Sequence, residues 1–206
     1  MKMKNSMCLR KMVAASIFVC LPALATASDD VKSTDTGVMW YAGIGQVAID
    51  SASATRGKIK DSATYIRLAV EGRSQGWLYG GGISGYFYSD KNKFSQGVED
   101  QFGNRSTEDS SASAVNLYGE AGIAYPVSAS MSADFLAGYE FVAESSRAIS
   151  NCTDCASEDI DVDAGVYVAP RIRYQVGDKF TMSLSYQQYL TGDVENAIAL
   201  YFGWTY

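Results

Sequence analysis

Histidine is absent from the chain. Hydrolytic sites that depend on Ser–His or His–Asp pairs need an imidazole, so this sequence excludes them. A mechanism that uses carboxylates alone remains an open alternative, but we expect no enzymatic activity. The glycine-rich stretches 43–45 and 80–82 do not match a dinucleotide-binding loop and do not open a helix. We therefore also expect no cofactor. No bound metal is expected either, with a cation site at Asp159, Asp161 and Asp163 as the alternative to a solvated strand extension.

Long hydrophobic runs are equally scarce. After residue 27 no apolar run approaches the roughly 20 residues that a transmembrane helix needs, and no long apolar stripe has the helical period. The apolar run 12–24 follows a basic stretch and ends at Ala25-Thr26-Ala27, a small-x-small site. This pattern predicts a secretory signal peptide over residues 1–27, cleaved between Ala27 and Ser28. An uncleaved anchor helix and a lipoprotein are the alternatives. Residues 28–37 are then a short periplasmic segment, and residues 38–206 form one domain.

Basic residues are fewer than acidic residues in this chain. The signal segment holds four bases and no acids, so 13 of the 17 basic residues remain against 23 acidic residues. An acidic chain lacks the basic surface that binds phosphate backbones. Nucleic acid is therefore not expected as a partner.

Cysteine is also rare. Two of the four cysteines leave with the signal segment, so Cys152 and Cys155 remain. Because export leads to an oxidising compartment, we predict a disulfide between them within one external loop. Free thiols, a redox pair and a metal site are the alternatives. The loop that the disulfide would close is short, so the bond would stabilise the fold by only about 2 kcal/mol on the loop-entropy account.

The predicted disulfide can be tested by mass spectrometry of the exported protein. We expect it to find no free thiol, and two free thiols would contradict the prediction.

What the chain does contain is repeated alternation of apolar and polar residues. Eight such segments follow one another, each roughly 11–15 residues long, whereas a tilted membrane strand needs about 9–11 and a globular strand has about 5–6. The segments are residues 38–50, 62–73, 76–88, 112–125, 130–143, 161–175, 179–190 and 196–206. Their connections alternate between long polar stretches (51–61, 89–111 and 144–160) and tight turns (72–75, 126–129 and 176–178), with a short seventh connection at 191–195. Outer-membrane barrels have short periplasmic turns and longer external loops. The sequence therefore predicts an all-β fold, an eight-stranded antiparallel up-and-down transmembrane β-barrel.

The two faces of these segments differ in character. The apolar face is predicted to meet lipid, where a central Arg or Lys costs about 2–4 kcal/mol, and aromatic residues near the strand ends are predicted to form the two interfacial girdles. Since a closed barrel has no free edge, Pro170 predicts a β-bulge in the sixth strand.

The polar face carries charged residues that are predicted to point into the barrel. An eight-stranded barrel is only wide enough for side chains to fill its interior, and an unpaired buried charge is costly. We therefore predict an ion-pair plug in which Glu120 and Arg171 lie at similar depth. A narrow gated pore and a catalytic carboxylate pair are the alternatives. The predicted plug residues are Arg67, Glu71, Glu120, Asp134, Glu140, Arg171 and Arg173.

The last segment ends in a regular apolar alternation: Ile198, Leu200, Phe202, Trp204 and Tyr206. This terminus resembles the recognition signal for barrel assembly. Residues 117–125, LYGEAGIAY, and residues 184–187, LSYQ, resemble strands of the OmpX/Ail/Lom family of small surface barrels and, more loosely, the transmembrane domain of OmpA.

The resemblance implies a non-enzymatic protein of the cell outer membrane. It would contact membrane lipid and lipopolysaccharide, reach the membrane through the barrel-assembly machinery by its C-terminal strand, and remain a monomer. Its loops would bind a host, phage or envelope protein or support envelope integrity. A narrow channel for ions or small solutes is the alternative function.

Overall fold

A computed structural model describes residues 37–92, 95–99, 102–149 and 157–205. The predicted signal peptide with its cleavage site at Ala27 and Ser28, the pair Cys152 and Cys155, and Tyr206 lie outside the described residues.

The described chain is almost entirely strand, with one short helix. The elements in order are β1 (Gly37–Ile49), α1 (Ser51–Arg56), β2 (Ile59–Ser74), β3 (Trp77–Asp90), β4 (Ser95–Glu99), β5 (Arg105–Ser128), β6 (Met131–Ile149), β7 (Ser157–Asp159), β8 (Gly165–Val176), β9 (Phe180–Tyr189) and β10 (Val194–Thr205).

Eight of these strands close into a ring. They follow the order β5-β3-β2-β1-β10-β9-β8-β6, and β5 pairs with β6 to complete the circle. Every pairing is antiparallel. The predicted eight-stranded antiparallel barrel is confirmed, and β4 and β7 are short additions outside the ring that pair with β5 and β6.

The two ends of the barrel differ. At one end, here called the short-turn end, β2 and β3 are joined by the two residues Gln75 and Gly76, both at positive φ of 51° and 82°. Two central residues of this handedness match the twist of an antiparallel pair, and glycine adopts it without strain. β1 begins and β10 ends at this end. The opposite end, the long-loop end, carries α1, β4 and β7.

The sequence predictions are wrong in several details at the long-loop end. Residues 105–111 and 144–149, predicted as loop, continue β5 and β6. The helix α1 was not predicted. Residues 161–164, predicted as strand, precede β8 and are not part of it. Beyond the membrane no lipid requires apolar and polar side chains to alternate. The ends of the strands there therefore do not coincide with the ends of the alternating pattern.

The bulge predicted at Pro170 is also wrong. β8 pairs Val168 with Gln188 and Arg171 with Ser185, so the register is the same on both sides of the proline. Proline has no N–H to donate. The ladder to β9 therefore omits the two intervening pairs without shifting, and Pro170 itself pairs with Phe135 on β6.

The outer surface of the ring is apolar. Most side chains on the predicted lipid-facing side are exposed, whereas Ala164, also predicted to face lipid, is 4% exposed and precedes β8. Trp40, Trp204 and Phe180 lie side by side on three neighbouring strands near the short-turn end. Phe87, Phe141 and Tyr186 are exposed towards the long-loop end. Large apolar side chains that face outward in a band, with aromatics at both margins, are the surface that lipid covers. In the described residues no helix is long and apolar enough to cross a membrane.

Candidate functional site

The candidate site is the interior of the barrel. The structure places all seven predicted plug residues there, each at most 8% exposed. Four tyrosines share this space and are buried as well: Tyr65, Tyr118, Tyr167 and Tyr201. The charged residues divide into two carboxylate clusters joined by arginine side chains.

The cluster nearer the long-loop end is built around Glu140 on β6. Its carboxylate accepts hydrogen bonds from Arg67 Nη2 at 2.8 Å, Tyr189 Oη at 2.6 Å and Tyr86 Oη at 2.9 Å. Asn116 Nδ2 donates at 3.0 Å, and the Ser84 hydroxyl donates as well. A carboxylate with five donors has exchanged its water shell for protein groups, which offsets the cost of burying its charge.

Arg67 on β2 joins this cluster to the middle of the barrel. Its Nη1 lies 3.3 Å from Glu120 Oε2, and its guanidinium carbon lies 3.6 Å from the centre of the Tyr118 ring. With the Gln187 amide turned so that its oxygen faces Arg67, that oxygen lies 2.8 Å from Nη1. Glu120 also accepts hydrogen bonds from Tyr167 at 2.7 Å and Tyr41 at 3.0 Å.

The cluster nearer the short-turn end contains two carboxylates and two arginines. Glu71 contacts Arg171 Nη2 at 2.5 Å and Arg173 Nη2 at 2.6 Å. Asp134 contacts Arg171 Nε at 3.0 Å and Arg173 Nη2 at 2.9 Å. Each carboxylate therefore bridges both guanidinium groups, an arrangement of charge-assisted hydrogen bonds in which charge and geometry are both satisfied.

The predicted proximity of Glu120 and Arg171 is present, but it is not the shortest ion pair of either residue. Glu120 and Arg171 are 3.9 Å apart, at the edge of ion-pair range. Arg67 is the closer cation to Glu120, and Arg171 makes its short contacts with Glu71 and Asp134. Side-chain reach decides this, because a long arginine on one strand can cross the lumen to a carboxylate that is not on the neighbouring strand.

The sequence pattern places Asn116 and Gln187 on the inward face but does not single out Tyr41, Tyr86 and Tyr189 as interior residues. The hydroxyls of Tyr41, Tyr86 and Tyr189 and the side chains of Asn116 and Gln187 complete the two clusters. The alternation on β3 and β9 carries the signal for Tyr86 and Tyr189, since both fall on the polar face. No such signal exists on β1, where small residues lie on both faces; Gly43, for example, leaves room for the Tyr201 ring.

A second polar assembly, here called the outer cap, closes the long-loop end. Arg147 on β6 is 2% exposed and bonds Asp90 at 2.7 Å, Glu158 at 3.0 Å and the carbonyl of Gly57 at 2.9 Å. It thereby ties together all three long connections. Beside it, apolar side chains pack under α1; they are Ile49, Ala54, Ile59, Ile160, Val162 and Val194.

The outer cap also holds the first connection to the seventh. Asp50 caps α1 by accepting from the backbone amides of Ala52 and Ser53, and Ser53 donates its hydroxyl to Asp193. Burial acts to raise the pKa of Asp193, but the amide of Asp163, the hydroxyl of Ser53 and the charge of Arg56 outweigh it and hold that pKa below its ordinary value. Lys58 and Arg147 likewise lower the pKa of Glu158.

Comparison with known proteins identifies the fold family. The sequence model of the outer membrane protein beta-barrel domain matches residues 12–206. The chain belongs to this family. The family assignment confirms, at that level, the resemblance to small outer-membrane barrels, and it places the protein in the outer membrane.

Two solved structures are similar to this outer membrane β-barrel. Neisserial surface protein A is 9% identical, with a TM-score of 0.46 over 82% of this chain and 93% of that chain. Ail, the attachment invasion locus protein of Yersinia pestis, solved with the heparin analogue sucrose octasulfate, is 12% identical, with a TM-score of 0.46 over 82% of this chain and 96% of that chain. No curated protein sequence matches the chain significantly.

Family membership orients the barrel. In bacterial outer-membrane barrels the short turns face the periplasm and the longer loops face outward. The short-turn end, with Glu71, Asp134, Arg171 and Arg173 just inside it, is therefore the periplasmic mouth. The outer cap lies at the cell surface.

Proposed function

We propose that this outer membrane β-barrel is a non-enzymatic surface protein whose long-loop end binds a partner or supports envelope integrity. Export through a signal peptide cleaved between Ala27 and Ser28 is part of the proposal. The observation that carries it is the filled interior. Three groups of charged residues fill the lumen one above another: the Glu140 cluster, the Arg67–Glu120 pair, and the cluster of Glu71, Asp134, Arg171 and Arg173. Because the lumen is filled, the proposed function is assigned to the residues outside it.

The extension of two strands supports a role for the long-loop end. β5 has 24 residues and β6 has 19, whereas a tilted strand crosses the hydrocarbon with about 9–11. β4 pairs with residues 105–109 and forms a hairpin with the outer part of β5, and Arg105 bonds Glu99 across it at 3.0 Å. The paired segments 95–99 and 105–109 thus extend the strand structure beyond the membrane.

The interior contacts argue against the alternative function, a channel for ions or small solutes. An ion that crosses the lumen must separate arginines from carboxylates in a site of low dielectric, where such pairs attract strongly. We expect the purified protein in planar lipid bilayers to show no steady conductance, with a general porin as the positive control. Large, steady currents from the unmutated protein would overturn the proposal and favour the channel.

Shortening the external hairpin tests the surface role directly. Replacing residues 92–108 by Asn-Gly leaves Asp90 and Ser110, which are hydrogen-bonded to each other, and all membrane-crossing pairs in place. We expect cells with this variant to carry normal levels of a barrel that migrates differently on gels when unheated. Adhesion of these cells to cultured host cells, or their resistance to detergent, is expected to fall to the level of cells without the protein.

The turn variant Asp178→Asn, at the opposite end of the barrel, is the control and is expected to behave as the unmutated protein. If the shortened variant retains full adhesion and full detergent resistance, the hairpin does not perform the proposed role.

A further inference from the structure

The charges at the periplasmic mouth do not balance. Arg73, on the inward face of β2, lies close to the cluster of Arg171, Arg173, Glu71 and Asp134. Both carboxylates of that cluster already bridge Arg171 and Arg173. Arg73 makes no ion pair with any residue in the described ranges, so among the three arginines at this mouth its guanidinium group is the one without a carboxylate partner.

Arg73 also has unused hydrogen-bond donors. Its Nε and Nη2 are buried and have no hydrogen-bond partner among the described residues. These two nitrogens form one edge of the planar guanidinium group. That edge presents two parallel N–H donors, the geometry that matches two oxygens of a carboxylate or a phosphate. Leaving such donors buried and unsatisfied is unfavourable.

A cavity adjoins this residue. It has a volume of about 220 Å³, and Arg73, Arg173 and Lys179 supply three cationic groups to its wall. The hydroxyl-bearing residues Thr181 and Thr205 line it as well. Since one water molecule takes up roughly 30 Å³ of the liquid, the cavity is large enough for a small oxyanion with some of its water.

Two acidic residues, Glu71 and Asp178, also line the cavity and oppose an anion. The Glu71 carboxylate is held at 2.5 Å and 2.6 Å by Arg171 and Arg173, so its charge is neutralised locally. Asp178 is exposed on the turn next to Lys179, where water screens it. The balance at the Arg73 side of the cavity stays positive.

We propose that the periplasmic mouth binds a small oxyanion, a carboxylate or a phosphate, on Arg73, with Lys179 as the second cation. A turn of the Arg73 guanidinium brings its unsatisfied edge to the cavity, where the ligand replaces the missing acceptors. The site is separate from the long-loop end and does not depend on the function proposed for it.

Titration of the refolded protein in nonionic detergent micelles tests the site. Sodium phosphate and sodium acetate are added in parallel at constant ionic strength, with sodium chloride as the reference. We expect one or both oxyanions to shift the amide NMR signals of Thr181 and Thr205 saturably, and to leave the signals of α1 unchanged. In Arg73→Gln the affinity is expected to fall by about tenfold or more, because a charge-assisted bidentate contact is lost. Arg73→Lys keeps the charge without the fork and should weaken binding to an intermediate degree. Lys60→Gln, which removes an exposed charge at the other end, is the control.

Nanodiscs distinguish the source of the anion. If phosphatidylglycerol in a phosphatidylcholine bilayer produces the same shifts without added salt, a lipid headgroup supplies the phosphate; if it does not, the ligand is a free solute. Either result, with the effect lost in Arg73→Gln, supports the site. Absence of saturable shifts with phosphate and acetate in the unmutated protein, or equal shifts in Arg73→Gln, would overturn the proposal. The measurement on the unmutated protein decides even if Arg73→Gln does not fold.

Discussion

Replacing Glu140 by alanine is expected to destabilise the folded barrel by about 3–5 kcal/mol. Glu140 is the acceptor for Arg67, Tyr86, Tyr189, Asn116 and Ser84. Its removal leaves the Arg67 cation buried with only Glu120, 3.3 Å from Nη1, as a charged partner. It also leaves several buried donors without an acceptor. The free energy of unfolding in urea, measured in lipid vesicles by gel migration and tryptophan fluorescence, checks this.

The position of Glu144 provides a matched control for this substitution. It is a carboxylate four residues further along the same strand, but it is exposed. Glu144→Ala is expected to change the free energy of unfolding by less than about 0.5 kcal/mol, as surface substitutions usually do. Equal losses in Glu140→Ala and Glu144→Ala would show that burial of the ion pair is not what stabilises the interior.

A double variant separates the interaction from the effect of a smaller side chain. If Arg67 and Glu140 act as a pair, Arg67→Met combined with Glu140→Leu is expected to cost less than the sum of the two single changes, because neither charge is left alone. The same double variant also removes the salt bridge at this level of the lumen. Additive losses would mean that the two residues stabilise the barrel independently.

The membrane-crossing strands could be predicted from the sequence because each has one face in lipid and the other in the polar interior. Lipid outside and a narrow polar interior force each strand to alternate, so the eight strands and the inward side chains of β2, β5 and β8 are visible in the sequence. Beyond the membrane water covers both faces. The outer part of β5, 105–111, is polar on each side, and backbone pairing rather than side-chain burial defines it. The six-residue helix α1 is too short to show a period.

The interior was predictable as a set of residues but not as a set of pairs. Alternation tells which charged side chains point inward. It does not tell how far the strands are staggered around the ring or which side chains reach across it. Arg67 on β2 pairs with Glu140 on β6, although β3 and β5 lie between those strands. Tyr41 escaped prediction because glycine and alanine leave β1 with no clear polar face.

The second large effect is expected from changes in the last strand, β10, and concerns assembly into the outer membrane. We expect that replacing Trp204 and Tyr206 by serine abolishes assembly into the outer membrane. In β10, Ile198, Leu200, Phe202 and Trp204 all face outward and are exposed. Trp204 pairs with Trp40 on β1 and with Phe180 on β9. Serine in the lipid-facing girdle loses apolar contact with lipid at the seam where β1 and β10 close the ring, and it removes the aromatic terminus that resembles the assembly signal.

Matched conservative changes separate this role from general destabilisation. Trp204→Phe with Tyr206→Phe keeps an aromatic at both positions and is expected to assemble normally, because the outward face remains large and apolar. The amount of protein in the outer-membrane fraction, and its altered migration when unheated, measure assembly in each strain. The serine variant, refolded from urea into vesicles, is expected to form a barrel slowly but detectably, since the pairs between β1 and β10 depend on the backbone. Normal outer-membrane levels of the serine variant in cells would show that the alternation ending at Tyr206 is not a recognition signal.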